Sequence, residues 1–302
     1  TPQRALALSR VVQVSFRGEI SMTRNKSIKN KQLKRFLEHS FYIAITLVLI
    51  PVFLYFEICI VLPAIVEQWS LAFFCHMVLA SFLLLNITGN MIYGMFTNST
   101  IKGKNLEGFN KDEWTLCSVC ECLRPPRAWH CNICDICILK RDHHCTFFAC
   151  CVGYFNHRYF ILFTFYIFLA MVYSLYYNIK FVSLFITWNH GLILVKFICP
   201  LASVVIDFGD ESLYVFLLVI NVLIGLFTGF LFFYHFNNIL KGRLVPETKS
   251  YTNNFIHNKG WKLNLIEVFG HRWYLTWISP FIYSKLPGNG IEWSIEDKYK
   301  LY

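Results

Sequence analysis

Four long apolar stretches dominate this 302-residue sequence and limit the folds open to it. They run over residues 40–63, 70–93, 159–179 and 213–235. Each is long enough to cross a hydrocarbon layer of about 30 Å, which takes about 20 helical residues. Backbone that faces lipid must form its hydrogen bonds within its own segment, so we expect helices, with a kink at Pro51. The sequence therefore predicts an all-α integral membrane protein with four transmembrane helices.

The composition agrees with a membrane protein, since 56% of the residues are hydrophobic and only 15% are charged. A net charge of +10 raises the question of nucleic acid binding. The Lys and Arg residues, however, lie outside the apolar stretches, as expected of cations that face an anionic leaflet. We therefore predict the lipid bilayer, and no nucleic acid, as their partner.

The basic residues also orient the chain. Nine Lys and Arg against two Glu precede the first apolar stretch, so the positive-inside rule places that end in the cytosol. Residues 94–158 then return to the cytosol, and after four spans the C-terminal tail is cytosolic too. The apolar residues 191–205 leave a fifth span open, which would move the tail to the other side. Lys196 and Pro200 interrupt this segment, so four spans are preferred.

These expectations divide the chain into five parts. They are a basic cytosolic N-terminal segment (1–39), transmembrane helices 1 and 2 (40–93), a cytosolic cysteine-rich domain (94–158), transmembrane helices 3 and 4 with a lumenal loop (159–236) and a cytosolic C-terminal tail (237–302). Because the chain begins at Thr1 and not at Met, we expect its natural start to lie upstream.

Nine of the 12 cysteines lie between Cys117 and Cys151, in the loop predicted to be cytosolic. Pairs of Cys with two residues between them, repeated and joined by His, have the spacing with which thiolate and imidazole groups surround Zn²⁺. In a reducing cytosol this pattern favours metal over disulfides. Bound zinc would also supply folding energy that so short and polar a segment lacks.

The candidate ligands outnumber what two zinc sites need. Two four-coordinate sites take eight ligands, whereas the segment between Cys117 and Cys151 holds nine Cys and three His. A thiol left over beside an Asp-His-His sequence has the composition of an activated nucleophile. Spacing alone does not identify the residues that are spare.

The cysteine-rich segment resembles that of the DHHC palmitoyltransferases, whose signature reads here Asp142-His143-His144-Cys145. The similarity extends over Cys117-x2-Cys120-x3-Arg124-Pro125-x-Arg127-x2-His130-Cys131-x2-Cys134-x2-Cys137-x4-Asp142, Cys151-Val152-Gly153-x2-Asn156 and the C-terminal Gly260-x3-Asn264-x3-Val268-Phe269-Gly270. Four spans with this segment between helices 2 and 3 are the family layout, so the resemblance covers approximately residues 40–270.

The resemblance implies a set of eight ligands for two structural Zn²⁺ ions. Cys117, Cys120, His130 and Cys137 would hold one ion, and Cys131, Cys134, His144 and Cys151 the other. It leaves Asp142, His143 and Cys145 for chemistry, with Cys122 and Cys150 as bystanders. The implied function is a protein S-palmitoyltransferase that moves a long-chain acyl group from acyl-CoA to cysteines of cytosolic or membrane-associated proteins. The expected location is the endoplasmic reticulum or Golgi membrane.

Thioester exchange needs a thiolate, and a free Cys with a pKa of about 8.5 is mostly protonated in the cytosol. We therefore expect His143 to act as a general base on Cys145, while Asp142 orients the imidazole. An acyl-Cys145 intermediate and a ping-pong reaction follow.

Four further residues are candidates for binding the co-substrate or for bracing the site. Arg124 and Arg127 would bind the phosphates of CoA, with the alternative that they are surface cations or pack on the zinc-binding part. Phe147 would offer an aromatic face to the acyl chain. The resemblance implies that Asn264 braces the site by hydrogen bonding.

The chain departs from the family pattern at several positions. Thr146, Phe147 and Ala149 replace the usual Pro, Trp and Asn, and only Glu247 remains of a Thr-Thr-x-Glu motif that reads Leu244-Val245-Pro246-Glu247. These departures predict an altered rate or chain preference, and they leave open a weak or inactive zinc-binding membrane adaptor. A zinc transporter is disfavoured because the apolar stretches lack paired His and Asp.

Overall fold

The structure is a computed structural model that describes residues 48–104, 106–107, 112–185, 196–207, 209–249 and 257–293, with residues 33, 36, 37, 40, 41, 43 and 44. The chain divides into two compact units, Thr1–Val48 and Leu49–Tyr302, and the described residues of the first are helical. The basic N-terminal residues and residues 191–195, on which predictions were made, lie outside the described part.

The helices of the described residues are α1 (Val48–Ile65), α2 (Leu71–Phe96), α3 (His157–Phe185), α4 (Pro200–Asp207), α5 (Asp210–Leu240) and α6 (Trp261–Phe269). By length and composition, α1, α2, α3 and α5 can each cross a membrane. The prediction of a mainly helical fold with four helices of membrane length is thus confirmed. The eight residues of α4 are too short to span, since a crossing takes about 20.

Helix α1 contains a π-helical stretch, Phe56–Val61, in which the N–H of Leu62 donates to the carbonyl of Glu57. Pro63 follows at once and has no N–H to donate, which accounts for the shift in hydrogen bonding at this point. Helical structure runs through Pro51, where a kink was predicted, so the irregularity within the described part of α1 lies closer to its end.

Three antiparallel hairpins stand between α2 and α3 in the chain. Their strands are β1 (Thr115–Cys117), β2 (Cys122–Arg124), β3 (Trp129–Cys131), β4 (Ile136–Ile138), β5 (His143–Cys145) and β6 (Cys150–Val152). The all-α prediction did not include them. Strands of three residues are too short to carry the alternation of apolar and polar residues by which a strand is recognised.

The hairpins form an internal repeat of 14 residues. Equivalent strands begin 14 positions apart, and each turn contains a residue in the left-handed region, with φ of 52°, 55° and 53° at Glu121, Asp135 and Ala149. The three turns therefore share one backbone shape. Whatever a residue does in one turn can be compared directly with its counterparts 14 positions away.

The largest apolar cluster lies where the hairpins meet α2, α3, α5 and α6. It includes Cys145 and Phe148 of the third hairpin, Phe160 of α3 and Phe269 of α6. Helix α6 is bounded by Gly260 and Gly270, whose φ of 91° and 84° few other residues adopt. The C-terminal segment thereby turns back onto the hairpins and the end of α5.

Candidate active site and metal centres

The first candidate metal centre consists of Cys117 at the end of β1, Cys120 from the turn that follows, His130 from β3 and Cys137 from β4. The His130 Nδ1 lies 3.8, 3.3 and 3.9 Å from the sulfurs of Cys117, Cys120 and Cys137. Zinc bonds of about 2.3 Å to sulfur and about 2.0 Å to nitrogen give tetrahedral edges of about 3.5 to 3.8 Å. The donor set and its spacing therefore fit zinc.

The second candidate centre repeats the first one hairpin later, with Cys131, Cys134, His144 and Cys151. The His144 Nδ1 lies 3.7, 3.3 and 3.7 Å from the three sulfurs in that order, and the sulfurs of Cys134 and Cys151 are 3.7 Å apart. In both centres the turn of one hairpin and the paired strands of the next supply the ligands. All 12 cysteines are free of disulfides, in keeping with metal rather than cross-linking.

The third turn has the same backbone shape but lacks a complete ligand set. Cys145 occupies the place of Cys117 and Cys131, while Phe148 stands where Cys120 and Cys134 provide the second sulfur. In the first two turns a backbone N–H donates to the first sulfur, over 3.4 and 3.3 Å. In the third turn the N–H groups of Phe148 and of the residue before it serve Cys145 in the same way.

Cys145 is therefore a metal-ligand position without partner ligands, and its sulfur belongs to neither candidate centre. The residue is only 5% exposed and lies within the main apolar cluster. Burial raises the pKa of the Cys145 thiol to about 11, although the backbone N–H groups of Phe148 and Phe147 lower it in part. The thiol needs a base to become a nucleophile.

Asp142 and His143 form a hydrogen-bonded pair next to this thiol in the sequence. The Nδ1 of His143 lies 2.7 Å from Oδ2 of Asp142, and the backbone N–H of Val245 donates to Oδ1 over 3.0 Å. Burial alone would raise the pKa of Asp142, but the hydrogen bonds of His143 and His235 hold it well below its ordinary value. Since Nδ1 of His143 is engaged, Nε2 is the nitrogen left to accept a proton.

Strand geometry places the imidazole of His143 and the thiol of Cys145 on one face of the third hairpin. Successive side chains of a strand point to opposite faces, so His144 faces the metal centre while His143 and Cys145 face the other way. The imidazole of His143 and the thiol of Cys145 therefore share the face opposite to that of His144.

His235 of α5 is a residue of this site that the sequence analysis did not assign. Its Nδ1 lies 3.0 Å from Oδ2 of Asp142, and its ring centre is 4.8 Å from that of His143. Phe160 packs edge-on against both imidazoles. The available signal was an imidazole near the end of an apolar helix, where polar side chains are costly.

Asp142, His157 and His235 also bring three possible ligand atoms within 4.8 Å of one another. Oδ2 of Asp142, however, lies within hydrogen-bond distance of His143. We therefore assign this buried group to electrostatic contacts around the carboxylate and not to a metal ion.

Arg127 does not lie open to a CoA phosphate in this structure. Its guanidinium is buried and forms a two-bond ion pair with Glu247, at 2.7 and 2.9 Å, and a further ion pair with Glu267 at 3.4 Å. The ammonium of Lys140 lies 2.6 Å from Glu267. Burial opposes ionisation of Glu267, but Lys140 and Arg127 outweigh it and lower its pKa to about 2. Arg127 thus packs the hairpins onto the C-terminal segment.

The remaining predicted residues are placed as follows. Arg124 is half-exposed and donates from Nε to Thr115. Phe147 is half-buried against the main apolar cluster. Asn264 is buried and donates to the carbonyl of Leu240, at the end of α5, over 2.9 Å. Asn264 thus bonds to the end of α5, and its expected role of bracing the active site stays a prediction.

Comparison with known proteins gives concordant matches. Residues 110–258 match the family model for the DHHC palmitoyltransferase domain. A probable palmitoyltransferase ZDHHC24 of Mus musculus is 30% identical over 221 residues, which cover 72% of this chain and 77% of that protein. Its counterpart in Danio rerio is 33% identical over 228 residues, covering 73% and 75%. The palmitoyltransferase PFA3 of Yarrowia lipolytica is 28% identical over 201 residues, covering 59% and 49%.

Proposed function

The chain belongs to the DHHC palmitoyltransferase family, and from this membership we propose that it is a protein S-palmitoyltransferase that uses Cys145 as its nucleophile. The observation that carries the proposal is the third turn. In this turn Cys145 occupies a metal-ligand position but lies outside both candidate centres. It shares a face of the hairpin with His143, whose imidazole is hydrogen-bonded to Asp142. The co-substrate is a long-chain acyl-CoA, and the acceptors are cysteine thiols of proteins.

We assign a structural Zn²⁺ ion to each of the two ligand sets. With four protein ligands each, such ions would brace the hairpins and have no open position for chemistry. The second ligand set would hold β5 in place through His144, whose neighbours in the same strand are His143 and Cys145. The ligand sets therefore serve the site by positioning.

The first half-reaction begins with proton transfer from the Cys145 thiol to Nε2 of His143. Asp142 keeps the imidazole oriented and stabilises the imidazolium. The Cys145 sulfur, supported by the N–H groups of Phe147 and Phe148, attacks the thioester carbonyl of acyl-CoA. The bond from the carbonyl carbon to the CoA sulfur breaks, and His143 returns the proton to the departing CoA thiolate.

The second half-reaction transfers the acyl group to the protein substrate. His143 takes the proton of the incoming cysteine thiol, whose sulfur attacks the Cys145 thioester. Cys145 leaves as a thiolate and recovers the proton. The two steps form a ping-pong sequence through acyl-Cys145.

The apolar acyl chain of the co-substrate explains why the proposed site lies at a membrane. Moving an acyl chain from water to lipid is worth about 0.8 kcal/mol per CH₂ group, so a thiol at the ends of membrane helices receives the chain without exposing it to water. Phe147 and the apolar cluster around Cys145 are suited to its first carbons. Arg124 remains our candidate for a CoA phosphate. We place the hairpins and both termini in the cytosol, and the four long helices in an endoplasmic reticulum or Golgi membrane.

The test is incubation of the purified protein with labelled palmitoyl-CoA. We expect a hydroxylamine-sensitive label that is lost in Cys145→Ala. The label should be retained in Cys122→Ala, which removes a thiol of the first hairpin that lies outside both ligand sets. All three proteins should hold two zinc ions. Full zinc with no Cys145-dependent label would contradict the proposal and favour the adaptor.

A further inference from the structure

We propose that Cys150 is a second acyl-accepting thiol of the site, which takes the acyl group from Cys145 within the same molecule. The inference rests on the proposed function, because Cys145 must first be acylated. Cys150 belongs to neither candidate metal centre.

The register of the third hairpin brings the two thiols together. In this hairpin His143 is paired with Val152, His144 with Cys151 and Cys145 with Cys150. Residues directly opposite in an antiparallel pair point to the same face, with Cβ atoms about 4.5 to 5.5 Å apart. The neighbouring pair shows this directly, since the side chains of His144 and Cys151 meet at 3.7 Å in the second candidate centre.

Cys150 therefore lies on the face that carries His143 and Cys145. It is half-buried and packs against the apolar cluster that contains Cys145 and Phe148. An acyl chain lodged in that cluster can keep its place while its carbonyl end moves from one sulfur to the other.

The surroundings hold the Cys150 sulfur in a polar niche at the end of α2. The thiol lies 3.6 Å from the carbonyl of Gly94, and the Nδ2 of Asn156 donates to the sulfur over 3.7 Å. The carbonyl of Gly94 can accept a hydrogen bond from the thiol, and the amide of Asn156 can support negative charge on the sulfur. Both contacts come from buried groups that fix where the sulfur sits.

The transfer is a balanced thioester exchange. His143 takes the thiol proton of Cys150, and the resulting thiolate attacks the carbonyl carbon of acyl-Cys145. A bond forms between that carbon and the Cys150 sulfur, while its bond to the Cys145 sulfur breaks. The Cys145 thiolate then receives the proton from His143. No oxidant or second co-substrate is needed, and Cys145 is free to react with another acyl-CoA.

The repeat supplies a matched control. Cys122 is the counterpart of Cys150 in the first hairpin, where it is paired with Cys117. It is also half-buried and outside both ligand sets, but its partner is a candidate metal ligand and not a nucleophile. Any labelling that comes from thiol chemistry alone should reach Cys122 as well as Cys150.

The experiment is a pulse of less than one equivalent of labelled palmitoyl-CoA on the purified full chain, followed by peptide mass spectrometry at successive times. We expect the label at Cys145 first and then at Cys150, as the label at Cys145 declines. Cys150 should stay unlabelled in Cys145→Ala, and Cys122 should stay unlabelled throughout. Cys150→Ser should keep the label on Cys145. Two zinc ions per chain in each variant would exclude misfolding.

Two results would overturn the inference and leave the proposed function intact. One is persistent label at Cys145 with none at Cys150. The other is label at both thiols in the wild type together with label at Cys150 in the Cys145→Ala variant to the same extent. That result would indicate direct acylation of Cys150 by acyl-CoA. Absence of label from both thiols in a zinc-loaded wild-type chain would instead overturn the proposed function, and this inference with it.

Discussion

Position 145 illustrates how one residue type acquires two functions from its neighbours. Cys131 and Cys145 open turns of the same backbone shape, and backbone N–H groups serve both sulfurs. At Cys131 a second cysteine follows three positions later, whereas at Cys145 the buried ring of Phe148 takes that place. We infer that the fold reuses the turn of the candidate metal centres to present the proposed nucleophile, with an apolar side chain where a second ligand would stand.

The second imidazole at Asp142 leads to a prediction about His235. Its contact with Oδ2 helps to hold the carboxylate that orients His143. We expect His235→Phe to slow formation of acyl-Cys145 by about 10- to 100-fold, the size of effect that loss of an outer partner has on a metal-ligand histidine. His235→Gln, which keeps an N–H donor, should recover much of the rate in single-turnover assays with labelled palmitoyl-CoA.

Measurements of zinc content and stability distinguish a positioning role of His235 from a structural role. Both His235 variants should retain two zinc ions and the thermal stability of the wild type within a few degrees. Equal rates for the Phe and Gln variants would show that the N–H donor at position 235 has no role in the reaction.

Glu247 is the residue of the altered motif that the structure explains. It accepts two hydrogen bonds from Arg127 and one from the backbone N–H of Leu244, which places the next N–H, that of Val245, on Asp142. Removing one partner of a buried ion pair costs about 3 to 5 kcal/mol. We therefore expect Glu247→Ala to lower the melting temperature of the detergent-solubilised protein and to slow acylation.

Glu292 offers the matched comparison, since it is an exposed Glu of the same C-terminal segment. Its replacement by Ala should change stability by less than about 0.5 kcal/mol, as for most surface substitutions. Similar melting temperatures for Glu247→Ala and Glu292→Ala would argue against a stabilising ion pair with Arg127.

Sequence reasoning could not assign Arg127, and the reason is distance along the chain. Its acidic partners Glu247 and Glu267 lie 120 and 140 positions away. A motif of Arg and Pro next to cysteines looks the same whether the cation meets a phosphate, water or a buried carboxylate. The pairing arises only when the C-terminal segment folds back onto the hairpins.

Helices and strands were predictable from the sequence only where a long pattern of apolar residues marks them. Apolar runs located four helices, although α3 and α5 extend several residues beyond the predicted stretches. The six strands have no such pattern, because each contains three residues. A different signal was available, since Cys117, Cys131 and Cys145 recur at an interval of 14 and define the hairpin repeat.

The two candidate metal centres differ in how closely they are connected to the proposed nucleophile, Cys145. Cys120 and Cys134 occupy equivalent positions, but only the second centre includes His144, which stands between His143 and Cys145 in β5. We expect Cys120→Ser and Cys134→Ser each to reduce zinc from two ions to one per chain. Acylation should be abolished in Cys134→Ser and only reduced in Cys120→Ser.

Elemental analysis of zinc together with acyl-Cys145 formation checks this prediction. Cys122→Ser is the control, because it removes a thiol from the first hairpin without touching either ligand set. Complete loss of acylation in a Cys120→Ser chain that still holds one zinc ion would contradict the difference between the two centres.

At the scale of the whole molecule, the buried ion pairs limit the membrane topology. Arg127 and Lys140 come from the segment between α2 and α3, whereas Glu247 and Glu267 follow α5. Groups in direct contact must lie on the same side of a bilayer. The number of crossings between the two segments is therefore even, which fits α3 and α5 and leaves no place for a single additional span between them.

Because the basic N-terminal residues set which side is cytosolic, we expect both chain ends to lie in the cytosol. Epitope tags at the two chain ends should both be reached by antibody when only the plasma membrane is permeabilised. Asn98-Ser99-Thr100, which precedes the hairpins, should carry no glycan, although it matches an acceptor sequence. A C-terminal tag that is accessible only after the internal membranes are opened would contradict this topology. If the hairpins were still cytosolic, the ion pairs of Arg127 and Lys140 could not form as described, and Asp142 would lose the backbone N–H that Val245 donates to it.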